Sequence, residues 1–207
     1  AEELIKPSIV KINCINWEPL GEDDGKIWIQ QIINYKKDRY FEGHWTSFKY
    51  FENIRDILLK DFTLKTPLEN KYPDIVSLAT EYNSISLSVR RTDYLHRKNI
   101  KFYGIISINY YKKAIAYLTQ KVKNPYFFIF SDDPQWVKDN IPINYPISFI
   151  SNGKLKDYEE LILISKCKHN IIANSTFSWW GAWLNTNPDK IVIVPTPWHN
   201  KMLPATI

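Results

Sequence analysis

A chain of 207 residues can bury a proper core as one large domain or two modest ones. At 44% apolar and 24% charged it is globular rather than disordered. Its two cysteines, Cys14 and Cys167, exclude a disulfide framework, and its net charge of +5 favours an anionic partner without choosing one. No Cys/His spacing suggests zinc. No apolar run reaches the ~18 residues of a membrane span. The lysines are scattered, so no basic arm for nucleic acid is visible. The free thiols and the absence of an apolar signal region in "AEELIKPS" point to the cytoplasm.

In chain order, "PSIVKINCI" reads as a strand, and Asp24-Gly25 as a turn before the alternating Ile27 and Ile29. From Ser47, a plausible N-cap, Phe48, Phe51, Ile54, Leu58 and Phe62 recur at helical spacing. "TPLENKYPD" breaks that pattern. From residue 84 strands and helices alternate. "SISLSVRR" is a strand, and "INYYKKAIAYLTQKV" a helix with Tyr111, Ala114, Ile115, Leu118 and Val122 on one face. "PYFFIFSDD" is a strand, and "PQWVKDNI" a short helix capped by Asp133 with Pro134 at its first position. "YPISFI", "HNIIANS" and "KIVIVP" are strands, separated by the helices "DYEELILISKC" and "TFSWWGAWLN". This order predicts an α/β fold with a Rossmann-type parallel sheet and flanking helices. Two segments are expected: a partial N-terminal lobe over 1–83, and a Rossmann-like ligand-binding domain over 84–207.

In such sheets ligands bind beyond the carboxyl ends of the strands. Those ends carry Arg90 to Asp93, Ser131 to Asp133, Asn174 to Ser178 and Pro195 to Trp198. Strand alternation puts Ser88 and Arg90 on one face, and Arg91 with Asp93 on the other. Arg91 is then expected in a structural ion pair, with Asp93 or with another acid. Arg90 either meets an anionic ligand, for which a planar guanidinium suits a diphosphate, or is paired internally as well. Asn174, Ser175 and Thr176 stand where a strand turns into a helix, a place that binds phosphate or merely caps the helix. Gly181 permits a close approach, and the tryptophans around it read as core before sugar platforms. Asp132 is placed to contact ligand or Arg91. Glu160 sits where the helix dipole favours a carboxylate, and a carboxylate also suits the N1–H and amino group of guanine. No phosphate-binding glycine loop and no Ser-His-Asp set is present.

The strings "SVRRTDYL", "FFIFSDDPQWVKDN" and "CKHNIIANSTFSWWGAWLN" resemble, in order and spacing, the α-1,2-fucosyltransferases of glycosyltransferase family 11. "YYKKAIAYL" and "HWTSFKYFENI" are also similar, so the resemblance covers roughly residues 40–200. It implies an inverting enzyme of GT-B-like architecture that uses GDP-fucose with no metal or other cofactor. By position, Arg90 would contact the β-phosphate. Thr176, Phe177 and Ser178 would line the diphosphate site, with Asn174 and Ser175 beside them. Glu160 would read guanine where relatives carry Asp, and Ser88 stands where they carry His. Asp93 is the candidate base. The glycine-rich opening strand and turn of the family is missing, so the N-terminal lobe is expected to be incomplete.

The expected activity is transfer of fucose from GDP-fucose to the 2-hydroxyl of a terminal galactoside in a bacterial surface glycan precursor. The expected partners are that donor and a galactose-containing acceptor, with no nucleic acid. The expected location is the cytoplasm, with peripheral contact at the inner face of the membrane. Two alternatives stand beside it: an inactive relative or fragment that binds nucleotide or glycan, and a transferase with another nucleotide-sugar donor.

Overall fold

The computed structural model describes residues 9–10, 40–41, 48, 51–196 and 198. By its contacts the chain divides into two compact units, Ala1–Arg55 with Thr206, and Asp56–Ala205 with Ile207. This division falls well before residue 83, where the sequence suggested one. In the first unit, β1 (Ile9–Val10) pairs in parallel with β2 (Tyr40–Phe41). The rest of the "PSIVKINCI" strand, the Asp24-Gly25 turn and the Ser47 cap lie outside the described residues.

The helix expected from Ser47 begins as a 3-10 turn at Glu52–Ile54 and continues as α1 (Arg55–Asp61). "TPLENKYPD" does not end helical structure. It holds α2 (Leu68–Lys71) and opens α3 (Pro73–Glu81), which has Pro73 at its first position. Such a proline has no N–H to lose and a φ suited to a helix start.

The second unit is built on five strands: β3 (Asn83–Val89), β4 (Pro125–Ser131), β5 (Ile147–Phe149), β6 (His169–Ile171) and β7 (Val192–Ile193). Their spatial order is β5-β4-β3-β6-β7, and every neighbouring pair is parallel. Parallel neighbours need crossovers, which the helices supply. These are α4 (Arg97–Tyr103) and α5 (Ile108–Lys121) between β3 and β4, then α6 (Pro134–Asn140), α7 (Asp157–Lys166) and α8 (Thr176–Leu184). The order runs outward in both directions from β3, so the direction of winding reverses between β3 and β6. The Rossmann-type sheet expected from the sequence is therefore present, and its crevice belongs at the carboxyl ends of those two strands.

Both faces are covered. Ile85, Leu87 and Val89 of β3 join Phe127 and Ile129 of β4 against Tyr111, Ala114, Ile115 and Leu118 of α5 and Val137 of α6. On the other face Phe128 and Phe130 pack with Leu68, Val76, Ala79, Leu163 and Ile164. β3 itself is not continuously apolar. Ser84, Ser86 and Ser88 alternate with its aliphatics and are all buried. The first two are hydrogen-bonded, as burial of a hydroxyl requires. Ser84 Oγ donates to Ala79 O and accepts from Lys168 N–H. Ser86 Oγ accepts from Asn170 Nδ2, which also reaches Ile164 O, and Asn170 Oδ1 accepts from Asn185 Nδ2. A polar ladder therefore pins β3 and β6 to the ends of α7 and α8.

The contact of α7 with α8 depends on Gly181. A Cβ there would lie 2.3 Å from Ile164 Cγ2 and 2.8 Å from Ile164 Cβ, inside any real carbon–carbon contact. Trp179 and Trp183 are buried in the same helix, and Trp180 stacks on Phe62 at 5.3 Å, so the tryptophans are packing residues. Gly181→Ala should lower stability by about 1–3 kcal/mol through overpacking, although alanine is the better helix former by about 1 kcal/mol. Urea denaturation measures this, and a variant as stable as the wild type would contradict the close contact.

Candidate functional site

The strand ends converge on the edge the topology selects. β3 stops at Val89, and the chain then turns. Asp132, just past the end of β4, makes that turn. Its carboxylate accepts from the N–H of Arg91 (2.9 Å), the N–H of Thr92 (3.0 Å) and Thr92 Oγ1 (2.6 Å). Asp93 opens a 3-10 turn over Asp93–Leu95.

This turn changes the partners expected for the two arginines. Alternation holds only while the chain is extended, and it is not extended after Val89. The expected Arg91–Asp93 pair does not form. Asp93 instead grips Arg90 at two points, from Nε to Oδ1 and from Nη2 to Oδ2, both at 2.9 Å. Arg90 Nε also lies 3.4 Å from Asp132 Oδ2. Arg91 turns inward. Its guanidinium lies over the Trp136 ring at 3.7 Å, with Nε 3.9 Å from Asp133 Oδ2. Asp133 caps α6 by accepting the Trp136 N–H, as expected. Arg91 thus fastens the end of β3 to the start of α6, while Arg90 stays near half-exposed at the surface.

The end of β6 leads into α8. Ser175 takes the N-cap position in an extended conformation, but no side chain caps the helix. The first N–H groups of α8, on Thr176, Phe177 and Ser178, therefore retain the anion-attracting character of an open helix start. Thr176 and Phe177 are exposed. The Ser178 hydroxyl is buried and shares its one proton between Ala173 O and Ser175 O. Asn174 is buried. Its Nδ2 donates to Tyr103 O (2.8 Å), its carbonyl accepts from Tyr94 Oη (2.9 Å), and its Oδ1 has no hydrogen-bond partner. Tyr94 and Tyr103 stack at 4.7 Å. Burial pushes the Tyr94 phenol up to about 12, so it remains a donor throughout the working range. Asn174 thereby ties the Arg90 loop to the entrance of α8.

Glu160 belongs to the same edge through β4. Ser151 Oγ donates to Glu160 Oε2 (2.7 Å) and accepts from the Ser131 N–H (3.2 Å). Glu160 Oε1 has no partner among the described residues. Burial raises its pKa, and the Ser151 hydrogen bond only partly offsets this. The neighbouring Glu159, which the sequence did not single out, is the structural carboxylate. It accepts from the Lys156 N–H (3.0 Å), Lys71 Nζ (2.6 Å) and Tyr72 Oη (3.3 Å). Those bonds hold it below the usual carboxyl range, led by the Lys156 N–H. Ser88 lies buried one residue before the end of β3, and its Oγ has no hydrogen-bond partner.

Among the described residues no three His, Cys, Asp or Glu side chains gather as metal ligands, and no helix is long and apolar enough to cross a membrane. A cleft of about 670 Å³ lies at the other end of the sheet, lined by Phe62, Leu68, Ile162, Lys168 and Asn187 among others. None of the residues at the carboxyl edge lines it.

Arg90 and the uncapped start of α8 therefore follow the two strands, β3 and β6, between which a doubly wound α/β sheet reverses. The family model described as glycosyl transferase family 11 matches residues 25–205. The chain is 38% identical to the O-antigen biosynthesis glycosyltransferase WbnK of Escherichia coli over 73% of this chain and 54% of that protein. It is 36% identical to an alpha-1,2-colitosyltransferase of Escherichia coli over 78% of this chain and 56% of that protein. A mouse galactoside 2-alpha-L-fucosyltransferase, Sec1, is 23% identical over 92% of this chain and 55% of that protein. The chain belongs to glycosyltransferase family 11, as the motifs suggested. It spans about half the length of the relatives it matches.

The raised pKa of Glu160 gives a test of its environment. A carboxyl whose folded pKa lies above its unfolded one binds more protons when folded, so it lowers stability as pH rises through that window. Glu160→Gln should therefore melt higher than the wild type at neutral pH. The two curves should converge below about pH 4, near the unfolded carboxyl pKa. Equal melting temperatures at pH 7.5 would contradict a desolvated carboxylate.

Proposed function

We propose that the chain carries the donor-binding part of an inverting galactoside α-1,2-fucosyltransferase that uses GDP-fucose. The observation that carries this reading is the position of Arg90 and the uncapped start of α8 on either side of the reversal between β3 and β6. A diphosphate lying there meets a guanidinium on one side and backbone N–H groups on the other. The sugars that the relatives are named for support the sugar chemistry, and the family match supports the class.

In this reading Arg90 and the N–H groups of Thr176, Phe177 and Ser178 hold the diphosphate. The acceptor's 2-hydroxyl attacks the anomeric carbon from the face opposite GDP and gives up its proton to water, and the C–O bond to the β-phosphate breaks as the new one forms. The electron pair of the broken bond goes to the β-phosphate oxygen, where a fixed cation and fixed dipoles stabilise the growing charge without reorganising. Glu160 accepts from guanine N1–H and the amino group through its open oxygen, with Ser151 holding the other. Asp132 shapes the site rather than touches the donor, because its carboxylate binds Arg91 and Thr92, and Asn174 is held through Nδ2 and its backbone carbonyl with Oδ1 left open. Ser88, with a free hydroxyl, is the remaining donor-side contact. The charge stabilisation described needs no metal.

The acceptor in this reading is a terminal galactoside of a bacterial surface glycan precursor, met at the inner face of the membrane. A second donor has a specific observation behind it, because one of the relatives transfers colitose by name. GDP-colitose would use the same diphosphate and guanine contacts.

Calorimetry should show GDP binding and no UDP binding. Arg90→Ala should weaken GDP by roughly tenfold to a hundredfold, the value of a charged hydrogen-bonding group, while Lys112→Ala changes little. GDP affinity should fall as pH is lowered through the raised pKa of Glu160, because the carboxylate is the form that accepts from guanine. Equal affinity for GDP and UDP would remove the guanine reading. Linkage analysis of the product on lactose tests the α-1,2 assignment. A chain that binds GDP without transferring sugar would instead be a binding relative.

A further inference from the structure

We propose that Asp93 is an internal competitor of the donor's diphosphate for Arg90, displaced when the nucleotide binds and returning as it leaves. This rests on Arg90 being the phosphate-binding cation. Asp93 holds Arg90 with two parallel hydrogen bonds of 2.9 Å, the same two-point grip that a pair of phosphate oxygens uses. The guanidinium is therefore already neutralised at the surface where the ligand must arrive.

Two carboxylates approach Arg90, and they differ in how firmly they are held. Asp132 accepts three hydrogen bonds from Arg91 and Thr92 and is largely buried, so it stays in place. Asp93 has a side chain 44% exposed and lets go of Arg90 into water. Its backbone does not need to move, because Asn99 Nδ2 donates to Asp93 O at 2.7 Å and Leu95 N–H donates to Arg91 O at 3.0 Å. One side-chain rotation exchanges the partners. A phosphate on the other edge of the guanidinium would still lie against the Asp93 charge, so the negative charge of Asp93 opposes the ligand in either geometry.

The two carboxylates on one arginine therefore have opposite effects on binding. Asp93 subtracts from affinity and hastens release of the product nucleotide. Asp132 adds to affinity by holding the loop that presents Arg90. A base at position 93 is a different role, and it does not predict tighter binding when the charge is removed.

The test measures GDP and inorganic pyrophosphate by calorimetry on the wild type, Asp93→Asn, Asp93→Glu and Asp132→Asn, with thermal melts confirming that each is folded. Asp93→Asn should bind both ligands roughly threefold to tenfold more tightly, and Asp93→Glu should return toward the wild type. Asp132→Asn should bind both more weakly. Asp93→Asn binding unchanged or weaker, or both Asn variants shifting in the same direction, would overturn the proposal. Pyrophosphate separates this from the functional reading. It needs no guanine site, so a wild type that binds pyrophosphate but does not favour GDP over UDP fails the guanine assignment alone.

Discussion

The carboxylate of Asp132 determines what the end of β3 can do. By accepting the N–H groups of Arg91 and Thr92 and the Thr92 hydroxyl, it turns the chain at the point where an extended strand would have continued. The turn sends consecutive arginines to different environments. Arg91 goes under the loop, onto Trp136 and toward Asp133, while Arg90 stays at the surface with Asp93. Had the strand continued, alternation would have sent the two guanidiniums to opposite faces of the sheet with Asp93 on the side of Arg91, whereas the turn gives Asp93 to Arg90. One acceptor therefore separates an inward-turned arginine from one at the surface.

The remainder of the edge is supported by polar groups in unusual numbers for a doubly wound sheet. Ser84 and Ser86 stand in the middle of β3, where aliphatics are common, and their hydroxyls are bonded to Ala79, Lys168 and Asn170. Asn170 and Asn185 continue that line toward α8. Each bond contributes only about 1 kcal/mol net, but an unmet partner in such a place costs more than the bond returns. The ladder fixes register and helix position more than it adds stability. Gly181 serves the same end from the helix side, bringing α8 against Ile164 so that its first turn sits at the strand ends. The position of the first turn of α8 is thus decided several residues away from it.

Much of this was legible in the sequence. Strands bounded by helical patterns from residue 84 announce a parallel sheet, and that architecture names the edge on which Arg90, Glu160 and Asn174 to Ser178 stand. Asp133-Pro134 is a local cap signal and behaves as one. The α3 helix was hidden because Pro73 resembles a breaker when it is a first-turn residue, although Ile75, Val76, Leu78 and Ala79 carry the spacing of a packed face. The arginine partners are less legible, because two-residue alternation stops with β3 at Val89, so that Asp93 meets Arg90 and Arg91 lies near another acid, Asp133. Glu159 is hidden in the sequence because the N-cap residue before it is Lys156 rather than the Ser or Thr that marks a capping box, although its carboxylate accepts the N-cap N–H as in that motif. Tertiary partners such as Lys71 leave no mark in a single chain.

The central claim is that a guanosine diphosphate occupies the carboxyl edge of the sheet between Arg90 and the start of α8. The most direct measurement is a GDP titration followed by NMR, recording backbone amides and the arginine side-chain Nε–H signals. The account predicts saturable shifts of the Thr176, Phe177 and Ser178 amides and of Arg90 Nε–H, with Arg91 Nε–H little changed. Shifts confined to the opposite end of the sheet, around Phe62, Lys168 and Asn187, would contradict it.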